Sequence, residues 1–367
     1  MAFLCGGSAE ERCRLDMTSK QEAIISGEQI KNMLLGAYKS FEKNYQYIND
    51  LNVFPVPDGD TGTNMMHTMA AVAREISQLQ NATVSEVGTM AARSAIMGAR
   101  GNSGVILSQL LRGLGKGLAG KKRATSNEVG KAFQFGILYA YRAVSKPVEG
   151  TILTVARAIA KGAYHAVRQG EDFEDVLCEA LESGKKELAR TPELLPALKA
   201  AGVVDAGGQG LIVFLEGCLA GFRGEDAGEL HLPPSKPSFA NFIEMEVDLE
   251  NPYCTEFIVK EAEVKEDVVR STLQPLGNSL IVAVVGDIVK VHIHTKAPGL
   301  VLQHGLSWGS LHDIKIDNMA EQHQSIALSV RRRRSTVWLY CRWRPGTVLP
   351  ASCISSVQLR SSAGGRA

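Results

Sequence analysis

Two aspartates one residue apart, Asp58 and Asp60, stand between Pro57 and Gly62 in a stretch that can be neither helix nor strand. Carboxylates this close can converge on one cation. Magnesium suits them, because it takes one or two carboxylates and leaves its other positions to water and nucleotide phosphates. Asn52, just upstream, is a further oxygen donor. Taken alone, the Asp-Gly-Asp run is equally a solvated turn. Gly101-Asn102-Ser103-Gly104 comes immediately before the apolar run 105–118. The order predicts a glycine loop whose free N–H groups meet the positive end of a helix, which is an anion site. Glycine lets phosphate oxygens approach the backbone, and the Ser103 hydroxyl adds a donor. A tight interhelical turn would use the same residues. Asp205-Ala206-Gly207-Gly208 is a third loop of this kind. No Gly-x-x-x-x-Gly-Lys-Ser/Thr run occurs and no strand precedes the glycines, which disfavours a P-loop NTPase and a dinucleotide fold.

A second constellation lies further along. His292 and His294 are two apart in an alternating segment, so both project from one strand face. A neighbouring strand carrying Cys254 would complete a Cys-His-His set suited to zinc, with a fourth position for water, substrate or another residue. The spacing matches no standard zinc finger. Two ordinary histidines on a polar strand face would give the same pattern.

The elements that must position these groups change character along the chain. Ile30, Met33, Leu34, Ala37, Phe41, Tyr45 and Ile48 form the apolar stripe of a first helix. Similar patterns over 64–78, 83–97, 104–118, 126–143, 152–168, 173–189, 194–200 and 210–221 predict an all-helical region, 26–222. Residues 223–240, with Pro233, Pro234 and Pro237, read as a linker. Alternation over 255–260, 279–285 and 288–295, with a helix at 268–273, predicts a mixed α/β domain over 241–324. At 367 residues, with 45% apolar and 22% charged side chains, the chain has the composition of a globular protein of two domains. The best apolar run, 279–285, is far short of a membrane span. Residues 1–15 lack a secretory pattern, and the cytoplasm is the default compartment. Seven scattered cysteines argue for thiols or metal ligands rather than disulfides. The net charge of +1 conceals a tail, 331–367, with eight arginines and no acid; without it 32 basic side chains face 39 acidic ones. The body therefore has no basic bias toward nucleic acid.

The runs DLNVFPVPDGDTGTNM from Asp50, MGARGNSGVILSQLLRG from Met97, KPVEGTILTVA from Lys146 and GVVDAGGQGL from Gly202 resemble the nucleotide domain of bacterial fatty acid kinase. That domain is related to the ATP-binding subunit of dihydroxyacetone kinase. The resemblance implies an antiparallel barrel of about eight helices, followed by a smaller α/β domain, with ATP and magnesium at one end. It implies that Asp58 and Asp60 hold magnesium, with Asn52 near the place of a third ligand, where the relatives use aspartate. Thr61 and Asn64 would lie at the phosphate end, Asn102, Ser103 and Gly104 would hold phosphates, and Asp205, Gly207 and Gly208 would border the nucleotide. PYCTEFIV from Pro252 and VKVHIHT from Val289 resemble the middle domain of the same kinase, whose equivalent cysteine and histidines bind zinc; here these are Cys254, His292 and His294.

The activity so implied is transfer of the ATP γ-phosphate to a fatty acid carboxylate held by a DegV-type carrier protein, with a homodimer through the middle domain. A small-ketone kinase of the dihydroxyacetone type is the enzyme alternative, and a non-catalytic ATP-binding module is the other. The resembled kinases run on from IKIDNMAEQHQ at Ile314 into a carrier-binding domain, whereas 325–367 here is rich in arginine, serine and tryptophan and reads as a frameshifted or truncated end. Residues 1–25 read as an extension, with Met17 as the functional start.

Overall fold

The computed structural model describes residues 24–225 and 250–321. The expectations for the N-terminal extension, most of the linker and the arginine-rich tail fall outside the described residues. Among the described residues, nine helices occupy the first part: α1 (Gly27–Asp50), α2 (Thr61–Ile76), α3 (Val84–Gly98), α4 (Gly101–Gly117), α5 (Ser126–Ala143), α6 (Ile152–Arg168), α7 (Phe173–Leu194), the single-turn α8 (Pro196–Ala201) and α9 (Ala206–Arg223). Three begin with reciprocal caps in which a hydroxyl accepts from a backbone N–H and the side chain three residues on reaches back. These are Ser26 with Gln29, Thr83 with Glu86 and Thr125 with Glu128. Each long helix packs on its neighbour in sequence and α9 returns against α1, so eight long helices close an antiparallel barrel. The predicted α1 stripe points inward: Ile30, Met33, Leu34, Ala37, Phe41 and Ile48 are buried. The closing seam is tight. A Cβ on Gly36 would lie 2.3 Å from the Gly217 carbonyl oxygen, so α1 and α9 meet backbone to backbone.

The glycine runs expected as loops are instead first turns of helices. Gly101, Asn102 and Ser103 open α4, and Ala206, Gly207 and Gly208 open α9. Glycine lowers helix propensity, but at a helix start the first amides need no intrahelical partner, so little is lost there.

The second part is a four-stranded antiparallel sheet in the order β4 (Gly277–Val285), β5 (Ile288–Thr295), β3 (Tyr253–Lys260), β6 (Ser310–Asn318). The short β1 (Ile24–Ile25) and β2 (Ala124–Thr125) pair separately at the barrel. Phe257, Val259, Val282, Val289, Val291 and Ile293 face α10 (Glu266–Leu273) and α11 (Pro298–Trp308), forming a core with Val269, Leu273 and Val301. The opposite face turns to the barrel, where Ile258, Ile281, Ala283 and Ile288 join the helical core. As a result β5 is buried along its whole length, polar side included. Among the described residues, barrel and sheet belong to one compact unit. α11 and β6 were not expected: β6 carries Asp313, Lys315 and Asp317 and is mostly exposed, so it lacks the apolar alternation that marks a strand.

Candidate active site

Asp58 and Asp60 lie in the turn between α1 and α2, and Asp60 is the N-cap position of α2 without bonding its own helix through its side chain. The turn is fixed from α1: Asn49 Oδ1 accepts from the Thr63 N–H at 3.0 Å and Asn49 Nδ2 donates to Thr63 Oγ1 at 2.9 Å. Gly62 allows this approach, since a Cβ there would sit 2.1 Å from the Tyr45 carbonyl oxygen. Buried Asn52 donates to Asp58 Oδ1 at 2.5 Å. Burial, and then the charge of Asp60, push the Asp58 carboxyl up to about 7. Two half-buried carboxylates side by side are a site short of positive charge.

Thr61, Asn102, Ser103, Asp205 and Gly207 line one cavity of about 540 Å³, beside Phe54 and Pro55 and roofed by sheet residues 277–281. Three separate segments of the sequence thus meet around one volume. Asn102 Oδ1 is enclosed there without a hydrogen-bond partner among the described residues, an acceptor left for a ligand. Asp205 is buried, accepts from the Gly208 N–H at 2.7 Å as the cap of α9, and is pushed up to about 7 by burial. The remaining expected residues take up supporting positions. Gly208 gives its amide to Asp205, and a Cβ on it would meet Val155 and Leu188. Gly104 packs on Thr68 and donates to the Arg100 carbonyl. Asn64 stands against Gly101, where a Cβ would meet its Nδ2 at 2.5 Å.

One expectation needs correcting. The Gly101 N–H is not free for an anion, because Glu256 Oε1 of β3 accepts it at 2.8 Å. Only the amides of Asn102 and Ser103 at the head of α4 remain without a backbone partner one turn back.

Glu256 leads to the second constellation. β3 and β5 pair with Cys254 opposite His294 and Glu256 opposite His292, so all four share the face turned to the barrel. Cys254, His292 and His294 each offer a ligand atom within 4.8 Å of the others. His292 Nε2 and His294 Nε2 are 3.3 Å apart, too close for a pair of histidines with no shared proton or ion, while His292 Nδ1 sits 2.8 Å from Glu256 Oε1. The donor set of one thiol and two imidazoles fits zinc, and a carboxylate on the far ring nitrogen is the support such a ligand usually has. Burial works against the charged form of His292, but Cys254 and Glu256 outweigh it and hold the ring at about 10. Burial likewise opposes ionisation of Glu256, but His292 and Lys290 lower it to about 2. Sequence reasoning missed Glu256 and Lys290, yet the signal was there: each lies two residues from a proposed ligand, on the same strand face.

Residues 55–220 match the DAK2 domain family, and residues 250–326 match the FakA-like middle domain of fatty acid kinase. Protein YloV of Bacillus subtilis (strain 168) is 42% identical over 314 residues, which are 82% of this chain and 57% of YloV. An uncharacterized protein of Staphylococcus epidermidis is 40% identical over 313 residues, 82% of this chain and 56% of that one. The chain therefore spans little more than half the length of these curated relatives. Among solved structures, the dihydroxyacetone kinase from C. freundii in complex with AMP-PNP and Mg2+ aligns over 60% of this chain and 37% of its own, with 15% identity and a TM-score of 0.42. No described helix is long and apolar enough to cross a membrane. The chain thus carries a DAK2 domain followed by a FakA-like middle domain, and relatives match it across both.

Proposed function

We propose that this chain binds ATP and magnesium in the cavity at the barrel end and transfers the γ-phosphate to a fatty acid carboxylate, giving an acyl phosphate. The observation that carries the reading is the convergence on one cavity of Phe54, Pro55 and Thr61, which flank the two aspartates, with the head of α4 and the head of α9; Asp58 and Asp60 stand beside the cavity rather than among its lining residues. Magnesium, held by Asp58 and Asp60 with Asn52 beside them, supplies the positive charge that a triphosphate and a pair of half-buried carboxylates both require. The amides of Asn102 and Ser103 and the helix end behind them orient phosphate oxygens, while Asn102 Oδ1, an acceptor, takes a donor of the nucleotide such as a ribose hydroxyl. A carboxylate acceptor is ionised near neutrality, so no general base is demanded of the chain.

The acceptor class has its own support. On the other side of Gly101 a cavity of about 970 Å³ is lined by Arg74, Arg93, Arg100, Lys290 and Lys315, against Glu75, Glu256 and Asp313. Its cationic lining suits an anionic acceptor and gives no advantage to a neutral ketone such as dihydroxyacetone. Met90 and Met97 add an apolar wall. A DegV-type protein would present the acid, and Cys254, His292 and His294 would hold zinc on the sheet face turned to the barrel. Incubation with ATP, magnesium and a fatty-acid-loaded carrier should produce an acyl phosphate that hydroxylamine traps. Loss of the trapped product in Asp60→Ala, with Cys254→Ser losing bound zinc by elemental analysis, is expected. Full product formation by Asp60→Ala would remove the basis of the reading.

A further inference from the structure

We propose that Glu256 ties the Cys254–His292–His294 centre to the head of α4, so that zinc bound there tightens nucleotide binding in the neighbouring cavity. The inference rests on the nucleotide and zinc sites proposed above and adds a coupling between them. One carboxylate oxygen, Glu256 Oε1, faces two groups at 2.8 Å: the Gly101 N–H, and His292 Nδ1. Its other oxygen lies 3.6 Å from Lys290 Nζ. Glu256 is 3% exposed and His292 is 2% exposed, so water cannot readily replace either bond.

The consequences follow from position. Gly101 is the first residue of α4 and has φ +58°, a left-handed conformation that favours glycine. Asn64 closes its other side. The next two residues, Asn102 and Ser103, line the nucleotide cavity. A small displacement of Gly101 is therefore a displacement of the amides that would meet phosphate. His292 turns Nε2 toward His294, while its Nδ1 faces Glu256 Oε1 at 2.8 Å and Cys254 Sγ at 3.9 Å. A metal held by His292 would fix the ring, the ring would fix the carboxylate, and the carboxylate would fix the first turn of α4. Ordering this turn before the nucleotide arrives removes part of the cost of binding, and by linkage the nucleotide tightens zinc by the same factor. Glu256 is a positioning residue in this scheme and touches neither ligand.

The test uses the full chain, stripped of metal by chelation and then reloaded with one equivalent of zinc. Affinity for magnesium·AMP-PNP is measured by calorimetry in both states. The expected result is tighter binding with zinc by about fivefold or more, the lower end of ordinary coupling between sites. In Glu256→Gln at saturating zinc the ratio should collapse to within about twofold of one, and zinc affinity itself should drop about 10- to 100-fold. Hydrogen exchange on the wild-type chain gives a second reading that needs no variant: amides at the head of α4 should exchange more slowly once zinc is bound. A ratio of one in the wild type while both ligands bind, no zinc effect on exchange at α4, or an undiminished ratio in Glu256→Gln would each overturn the coupling and leave the two sites standing. If the chain binds no AMP-PNP, or no zinc, the underlying site assignment fails and the coupling goes with it.

Discussion

Asp205 is a buried carboxyl that accepts from backbone amides, and its proton is held up to about 7 because burial disfavours the charge. In the unfolded chain the same group ionises near 4. A raised folded value means that its contribution to stability is complete below the unfolded value and is lost as pH rises toward 7 and above. Asp58 acts in the same direction in the metal-free protein, for burial and for the neighbouring Asp60. Thermal unfolding of the metal-free chain should therefore show a falling midpoint between about pH 4 and pH 7. Asp205→Asn keeps an oxygen for the Gly208 N–H and removes the ionisation, so it should flatten much of that slope and raise the midpoint at pH 8 by several degrees. An unchanged slope would mean that Asp205 is ionised without cost in the fold. At this scale the sequence was informative about ligand types and silent about accessibility. Asp58, Asn102 and Cys254 could be picked out by chemistry and spacing, but that Gly101 is already bonded to a residue 155 positions away depends on long-range packing.

At the scale of elements, the turn carrying Asp58 and Asp60 is held by how closely α1 and α2 approach. Gly62→Ala would place a Cβ 2.1 Å from the Tyr45 carbonyl oxygen, a backbone atom with no room to yield. The expected cost is about 1–3 kcal/mol of stability by denaturant titration, as for other overpacked interior positions. Because Gly62 is two residues from Asp60, magnesium·nucleotide affinity should weaken with it; stability and affinity both unchanged would show that the helices can separate freely. Helix periods were readable because each barrel helix has one buried stripe: 126–143 and 152–168 emerged with their observed limits. The starts of α4 and α9 were set too late in the chain, since glycine there looks like a loop when only propensity is considered. The cap made by Asp205 on Gly208 is what extends α9 back over its glycines.

For the whole molecule, the relation of sheet to barrel decides whether the metal-type centre and the nucleotide-type cavity are neighbours. Arg270 of α10 adds a polar part to that contact, donating to the carbonyls of Arg142 and Ala143 and to Ser145 Oγ, while Glu266 stands within 3.2 Å. These carbonyls end α5, where a cation also meets the negative end of the helix. Arg270→Ala should leave the barrel core intact and speed hydrogen exchange along 142–146 and in β4, as read by mass spectrometry. Unaltered exchange there would assign the docking to the remaining contacts, the apolar ones of Ile258, Ile281 and Ile288 and the Gly101–Glu256 and Ser145–Leu280 hydrogen bonds. None of this was legible in the sequence. The alternation of β3 and β5 showed two faces, but it could not show that the face bearing His292, His294 and Glu256 would be covered by a barrel rather than by water.

Calorimetric titration of magnesium·AMP-PNP into the wild-type chain and into Asp58→Asn probes the central claim most directly. Asn keeps the size of the side chain and its bond with Asn52 can re-form, but the charge that would hold magnesium is gone. The account predicts binding to the wild type that depends on magnesium, and at least about 100-fold weaker binding to a variant that unfolds at a similar temperature. Binding to Asp58→Asn within about threefold of the wild type would contradict it.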